Sequence, residues 1–246
     1  MTADPTLKAG EFLNGGIALE AEIESAGMII REKSKAAYEQ QWLDARLILL
    51  SVLRRIQAFR SGVPGQTDQS RSDRLAQITV FAQGTSAVER LISEGQYIKA
   101  TAALKQDYEI LARIGEVKAG AAKAGRTPNV KHAPEGSRHF YGELNEVAHP
   151  SNEGLLTRLL GRLHSGEVRG LSSVPAFDAD TARSLYELHV WLILEITREA
   201  MRLAFEMYPS DKAELAEAAR WFASAVRLLE EAGFRVEDGE PKPPSA

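Results

Sequence analysis

The chain contains no cysteine. That one absence excludes disulfides, thiolate zinc sites and cysteine nucleophiles together, and it makes a reducing compartment, the cytoplasm, the simplest setting. Long hydrophobic runs are missing too. The longest, near Val190 to Leu194, falls far short of the roughly 20 residues a membrane span needs. The opening Met-Thr-Ala-Asp-Pro-Thr lacks the basic-then-apolar order of a signal or transit peptide. Nor does charge of one sign dominate. Lys and Arg number 30 against 34 Asp and Glu, a formal net charge of -4, so the whole molecule lacks the basic field of a general nucleic-acid binder. Phosphate-binding glycine loops, GxSxG elbows, His-Glu-x-x-His helices and the Rossmann glycine pattern are absent. The five histidines, His132, His139, His149, His164 and His189, never pair at the i, i+4 spacing that sets two ligands on one helix face. No metal and no cofactor is therefore expected.

What is present is helical periodicity. At 246 residues and 44% hydrophobic composition, the chain can bury a sizeable core. Trp42, Ala45, Leu49, Val52, Leu53, Ile56 and Phe59 recur every three or four positions, which predicts a core-facing helix within 17–60, with Gly15-Gly16 and Gly27 interrupting the earlier part to give two helices or one bent helix. The breaker-rich run Ser61-Gly-Val-Pro-Gly-Gln-Thr-Asp is the clearest internal loop. Ser70 with Asp73 three residues later reads as a capping box opening the next helix. Gly95 separates that helix from one over 96–119, with Tyr97, Leu104, Tyr108 and Leu111 inward, and the two form a hairpin. Residues 120–137 form a loop. A short helix from Arg138 must end near His149, because the residue before Pro150 is pushed out of the helical region.

Ser151 is expected to cap another short helix, carrying Leu155, Leu156, Leu159 and Leu160. An irregular stretch, 165–177, precedes the strongest helix, 178–208, capped by Asp178 or Asp180. Pro209-Ser210-Asp211 opens the last helix, to about Ala232. The expectation is an all-α single domain over 17–235, with an N-terminal segment 1–16 and a disordered tail 236–246.

Three features could carry chemistry. On the 178–208 helix, Ser184, Glu187, Glu195, Arg198, Arg202 and Glu206 follow one polar line, with Trp191 set among them. Either a loop or the N-terminal helix covers that indole, or it anchors a protein partner or a second copy of the chain in a homodimer. Basic residues gather between Arg113 and Arg138, where Arg113, Lys118, Lys123, Arg126, Lys131 and Arg138 face only Glu116 and Glu135. That segment is either a phosphate-meeting surface or a solvated loop. The most informative piece is Tyr141-Gly-Glu-Leu144-Asn145-Glu-Val-Ala-His149-Pro150-Ser151. Asn145 and His149 lie four apart on one helix face, with His149 at the C-terminal end, where free carbonyls favour a protonated imidazole. The histidine either binds an anion and moves a proton, or caps its helix.

The run Tyr-x-x-Leu-Asn-x-x-x-His-Pro-Ser, preceded by a helix with Tyr108-Glu109 and followed by a long amphipathic helix, resembles uncharacterised bacterial helical proteins related to the HEPN superfamily, over about 88–205. The resemblance implies a HEPN-like bundle of long antiparallel helices with Glu109, Tyr141, Asn145 and His149 close together. Active members carry Arg, a polar residue, three residues, then His. Those positions here are Leu144, Asn145 and His149, so the phosphate-holding arginine is missing. The resemblance thus implies a non-catalytic interaction protein of a defence or stress system, binding RNA or a protein. A ribonuclease using His149, with Arg138 or Arg113 replacing the arginine, and a small-molecule-binding helical protein are the alternatives.

Overall fold

A computed structural model describes residues 5–63, 65–148, 157, 159–164, 167–237 and 240–242. Seven helices are described: α1 (Pro5–Ala37), α2 (Gln40–Ala58), α3 (Gln69–Ser93), α4 (Tyr97–Lys118), α5 (Arg138–Ala148), α6 (Ala179–Met207) and α7 (Lys212–Glu231). A 3₁₀ turn, Val130–His132, lies between α4 and α5. Two antiparallel strand pairs accompany them, β1 (Gly161–His164) with β2 (Glu167–Leu171) and β3 (Arg235–Glu237) with β4 (Glu240–Lys242). The protein is an all-α bundle, and no described helix is long and apolar enough to cross a membrane.

The centre is α6, which packs against α1, α2, α3, α4 and α7. Its stretch from His189 to Thr197 is buried at every position, which explains why this helix is apolar nearly all round. The α2 stripe of Trp42, Ala45, Leu49, Val52 and Leu53 is buried as its periodicity predicts, against α6 and α7. The α3–α4 hairpin also forms as expected. Gly95, at φ 77°, takes the left-handed conformation that closes it, with Gln96 N–H donating to Leu91 O at 2.9 Å.

Several local expectations need correction. Gly15, Gly16 and Gly27 interrupt nothing: α1 is continuous from Pro5 to Ala37, and the break falls at residues 38–39. The cap of α3 is Asp68, whose Oδ1 accepts from Arg71 N at 2.8 Å, while Ser70 and Asp73 lie inside the helix. Starting the helix one residue after Asp68 satisfies an end amide that the Ser70 start would leave open. Asp178 caps α6, accepting from Thr181 N at 2.8 Å, so Asp180 is already helical. The stretch read as irregular from Ser165 holds β2, and the stretch read as an unstructured tail holds β3–β4 pairing. Both are short two-stranded pairs with little periodicity to announce them. Ser151, Leu155 and Leu156 of the expected short helix lie outside the described residues, whereas Leu159 is helical and buried.

Candidate functional site

The site is built where α5 lies across α4. On α5, Phe140 and Leu144 are four apart and buried, while the adjoining line, Tyr141 and Asn145, is half-buried. On α4, Lys105 and Glu109 are likewise four apart and half-buried. The two lines meet. Lys105 Nζ donates to Asn145 Oδ1 at 2.9 Å and stands 5.4 Å from the centre of the Tyr141 ring. Tyr141 donates its hydroxyl to Glu109 Oε1 at 3.1 Å. Burial and this bond to Glu109 push the Tyr141 phenol up from its usual range. Three of the four residues expected to converge, Glu109, Tyr141 and Asn145, thus do so. His149, the fourth, lies outside the described residues.

Beneath this seam is an aromatic layer. Trp191 of α6 is only 2% exposed, with its ring centre 5.3 Å from Phe140 and 6.4 Å from Tyr108. The cover over Trp191 is therefore α4 and α5, not a loop or α1, and its contacts are internal to the chain. Its polar line explains this, since Glu195 and Arg198 are themselves drawn inward beside it. Tyr108 is held from the other side. Ser137 spends its one hydroxyl proton on Pro134 O at 2.5 Å, so the 2.9 Å bond between Tyr108 and Ser137 runs from the tyrosine to the serine.

The arginines offered as phosphate holders are otherwise engaged. Arg113 pairs with Glu116 at 2.7 Å and donates to the carbonyls of Lys123 and Arg126. Glu116, buried, accepts in turn from Asn129 N at 2.7 Å. This pair thereby holds the 120–129 loop at residues 123, 126 and 129. Arg138 donates to Lys131 O at 3.2 Å. Of the basic segment, Lys123, Arg126, Lys131 and Arg138 are exposed, and Lys118 pairs with Glu199 at 3.0 Å. Leu144 is 3% exposed, so the arginine position of the resembled family points into the core here.

A second polar cluster lies under the 3₁₀ turn. A cavity of about 180 Å³ is bounded by α4, the turn and α6, with Lys118, His132, Glu195, Arg198, Glu199 and Arg202 among its walls. Glu195 sits at its buried end, accepting from Arg198 at 2.7 and 2.9 Å, and loss of water pushes its carboxyl up to about 7 despite that partner. The turn reaches α4 closely because residue 115 is glycine: a Cβ there would stand 2.0 Å from His132 O. Among the described residues, no group of three or more His, Asp or Glu gathers as a metal site would.

Lys105 had a signal in the sequence, and so did one buried acid outside the seam. Lys105 stands four residues before Glu109, which places both on one face. Asp107 interrupts the apolar stripe Leu104, Tyr108, Leu111, and it is buried, with burial pushing its carboxyl up to about 7 and Oδ2 left without a hydrogen-bond partner. Ser137 gave no such sign. No family model matches this chain, and neither a curated protein nor a solved structure matches it.

Proposed function

We propose that this protein is a HEPN-like, non-catalytic binding module of a cytoplasmic defence or stress system, which works as a homodimer and takes RNA or a protein on its α4–α5 face. One observation carries this reading: Lys105, Glu109, Tyr141 and Asn145 join across the helix seam at half-buried positions, while the arginine position of the resembled ribonucleases is a core leucine. A cation, a carboxylate, a phenol and an amide side by side suit a polar backbone or base edge. Cleavage would need a guanidinium at the scissile phosphate; Arg113 is held by Glu116 and the carbonyls of Lys123 and Arg126, and Arg138 donates to Lys131 O.

RNA is the partner tested. In fluorescence anisotropy with a labelled single-stranded RNA, the wild type binds, and Lys105→Ala weakens binding on the order of tenfold, the size of one lost charge-assisted contact. Equal binding by both proteins removes the face from consideration. The wild type leaves the RNA intact. Cleavage that vanishes in His149→Ala would instead establish the ribonuclease alternative. The small-molecule alternative has the Glu195–Arg198 cavity in its favour, and Arg198→Ala tests it by thermal-shift screening against small anions.

A further inference from the structure

Among the exposed large apolar side chains, two groups are singled out by their arrangement. The first is the N-terminal half of α1, where Phe12 is 83%, Leu13 70%, Ile17 65% and Leu19 41% exposed. Phe12, Gly16, Leu19, Ile23, Ala26 and Ile30 recur in steps of four and three, a single stripe along the helix. At its far end this stripe is covered, since Ile30 is 4% exposed and Gly27 lies against Glu94 of α3. Toward the N-terminus the same stripe runs on uncovered. The second is a groove of about 560 Å³ between α2 and α7, with Val52 and Ala218 inside it and Leu47 and Trp221 at its rim, 56% and 54% exposed.

We infer that the α1 end of one copy seats in the α2–α7 groove of a second copy, and reciprocally, giving a two-fold dimer. Length fits. The α2 side of the groove runs from Leu47 to Ala58, about 16 Å, and the exposed run of α1 from Phe12 to Glu22, about 15 Å, along a helix at 1.5 Å per residue. Charge fits as well. Residues 12–29 hold Glu20, Glu22 and Glu24 with no lysine or arginine, whereas along the groove and its continuation Arg55 and Arg60 already pair with Glu217, Glu214 and Asp211, and Arg54 and Arg220 have no ion-pair partner among the described residues.

The docked end must come from another molecule. α1 runs unbroken for 33 residues and packs mainly against α3 and α6, so its exposed first turns seat in no groove of their own chain. A free helical end of this size is marginal in water, and a groove that accepts its apolar stripe completes it. One three-turn contact is small against the roughly 1,200–2,000 Å² of a stable interface, and two-fold repetition doubles it.

This inference supplies the interface for the homodimer proposed above, and its test is separate from RNA binding. Sedimentation should give a dimer for the wild type and monomers for Leu19→Asp and Trp221→Asp, each keeping the circular-dichroism signal of a folded helical chain because both side chains are exposed in the single chain. The chain has no cysteine, so mixing Leu19→Cys with Trp221→Cys protein under oxidation should yield a disulfide between the two variants. A monomeric wild type, a dimer that survives Trp221→Asp, or a disulfide formed only between two Leu19→Cys chains would each overturn it. RNA binding that still depends on Lys105 in a monomeric protein would leave the α4–α5 face standing without this interface.

Discussion

Asp107, Glu195 and His189 are buried ionisable groups, and their effects on stability oppose one another. Burial pushes the Asp107 carboxyl from 3.8 to about 7. Between those values the unfolded chain has released a proton that the folded chain retains, so stability falls as pH rises through that window. Glu195 acts in the same sense from 4.5 to about 7. His189 is fully buried, and burial together with the Arg46 guanidinium lowers it from 6.5 to about 3. There the unfolded chain binds the extra proton, and stability falls as pH drops from 6.5 toward 3. Asp107→Asn should therefore be more stable than the wild type at pH 8, by up to about 4 kcal/mol from three pKa units at 1.36 kcal/mol each, with the gap closing toward pH 4. Denaturant melts of both proteins across that range check it. A gap that does not change with pH would mean Asp107 ionises freely in the folded state.

Glu116 shows how one side chain can organise a loop. It holds Arg113 and the Asn129 amide together, and Arg113 holds two loop carbonyls. Removing one partner of a buried pair strands the other, at a cost of about 3 kcal/mol or more. Glu116→Ala should lower stability by that order and should expose 120–129 to limited proteolysis first. Loss of stability without faster cleavage in the loop would mean the pair serves only the helix.

Among the elements, the approach of the 3₁₀ turn to α4 is the tightest. Gly115→Ala puts a methyl carbon where His132 O already stands, 2.0 Å away, so the turn must lift from α4 and open the cavity over Glu195. The expected result is a melting temperature lower by several degrees, with faster amide exchange concentrated in 129–137 and little change in α2 or α7. Uniformly faster exchange would argue that the turn is a global staple. Tyr108→Phe removes a single hydroxyl bond to Ser137 at the α4–α5 seam and should cost only about 1 kcal/mol.

Over the whole molecule, the C-terminal boundary of the core lies at Phe234, which is 2% exposed and meets Trp42 edge-on at 5.7 Å. Deleting 238–246 should leave thermal stability nearly unchanged, since this stretch has almost no apolar residue to bury. Deleting from Phe234 onward should cost about 3 kcal/mol, the usual loss for a buried phenylalanine. A large drop from the shorter deletion would mean that the β3–β4 pairing anchors the end of α7.

What the sequence by itself determined is the set of helices and their buried faces. Apolar residues every three or four positions can only be hidden together on a helix, and Gly95 and Asp178 mark ends, the first by its left-handed backbone and the second by its side-chain cap. Part of the α4–α5 face was legible for the same reason, because Tyr141 and Asn145 are four apart and so are Lys105 and Glu109. Which line faces which was decided only by tertiary packing. Trp191 could have been an exposed anchor until α4 and α5 covered it, and Arg113 could have been a phosphate holder until the Glu116 carboxylate and the carbonyls of Lys123 and Arg126, 10 and 13 positions away, engaged it. The uncovered end of α1 has the same origin. Periodicity shows that a helix has an apolar stripe, but it does not show how far along that stripe the rest of the chain reaches.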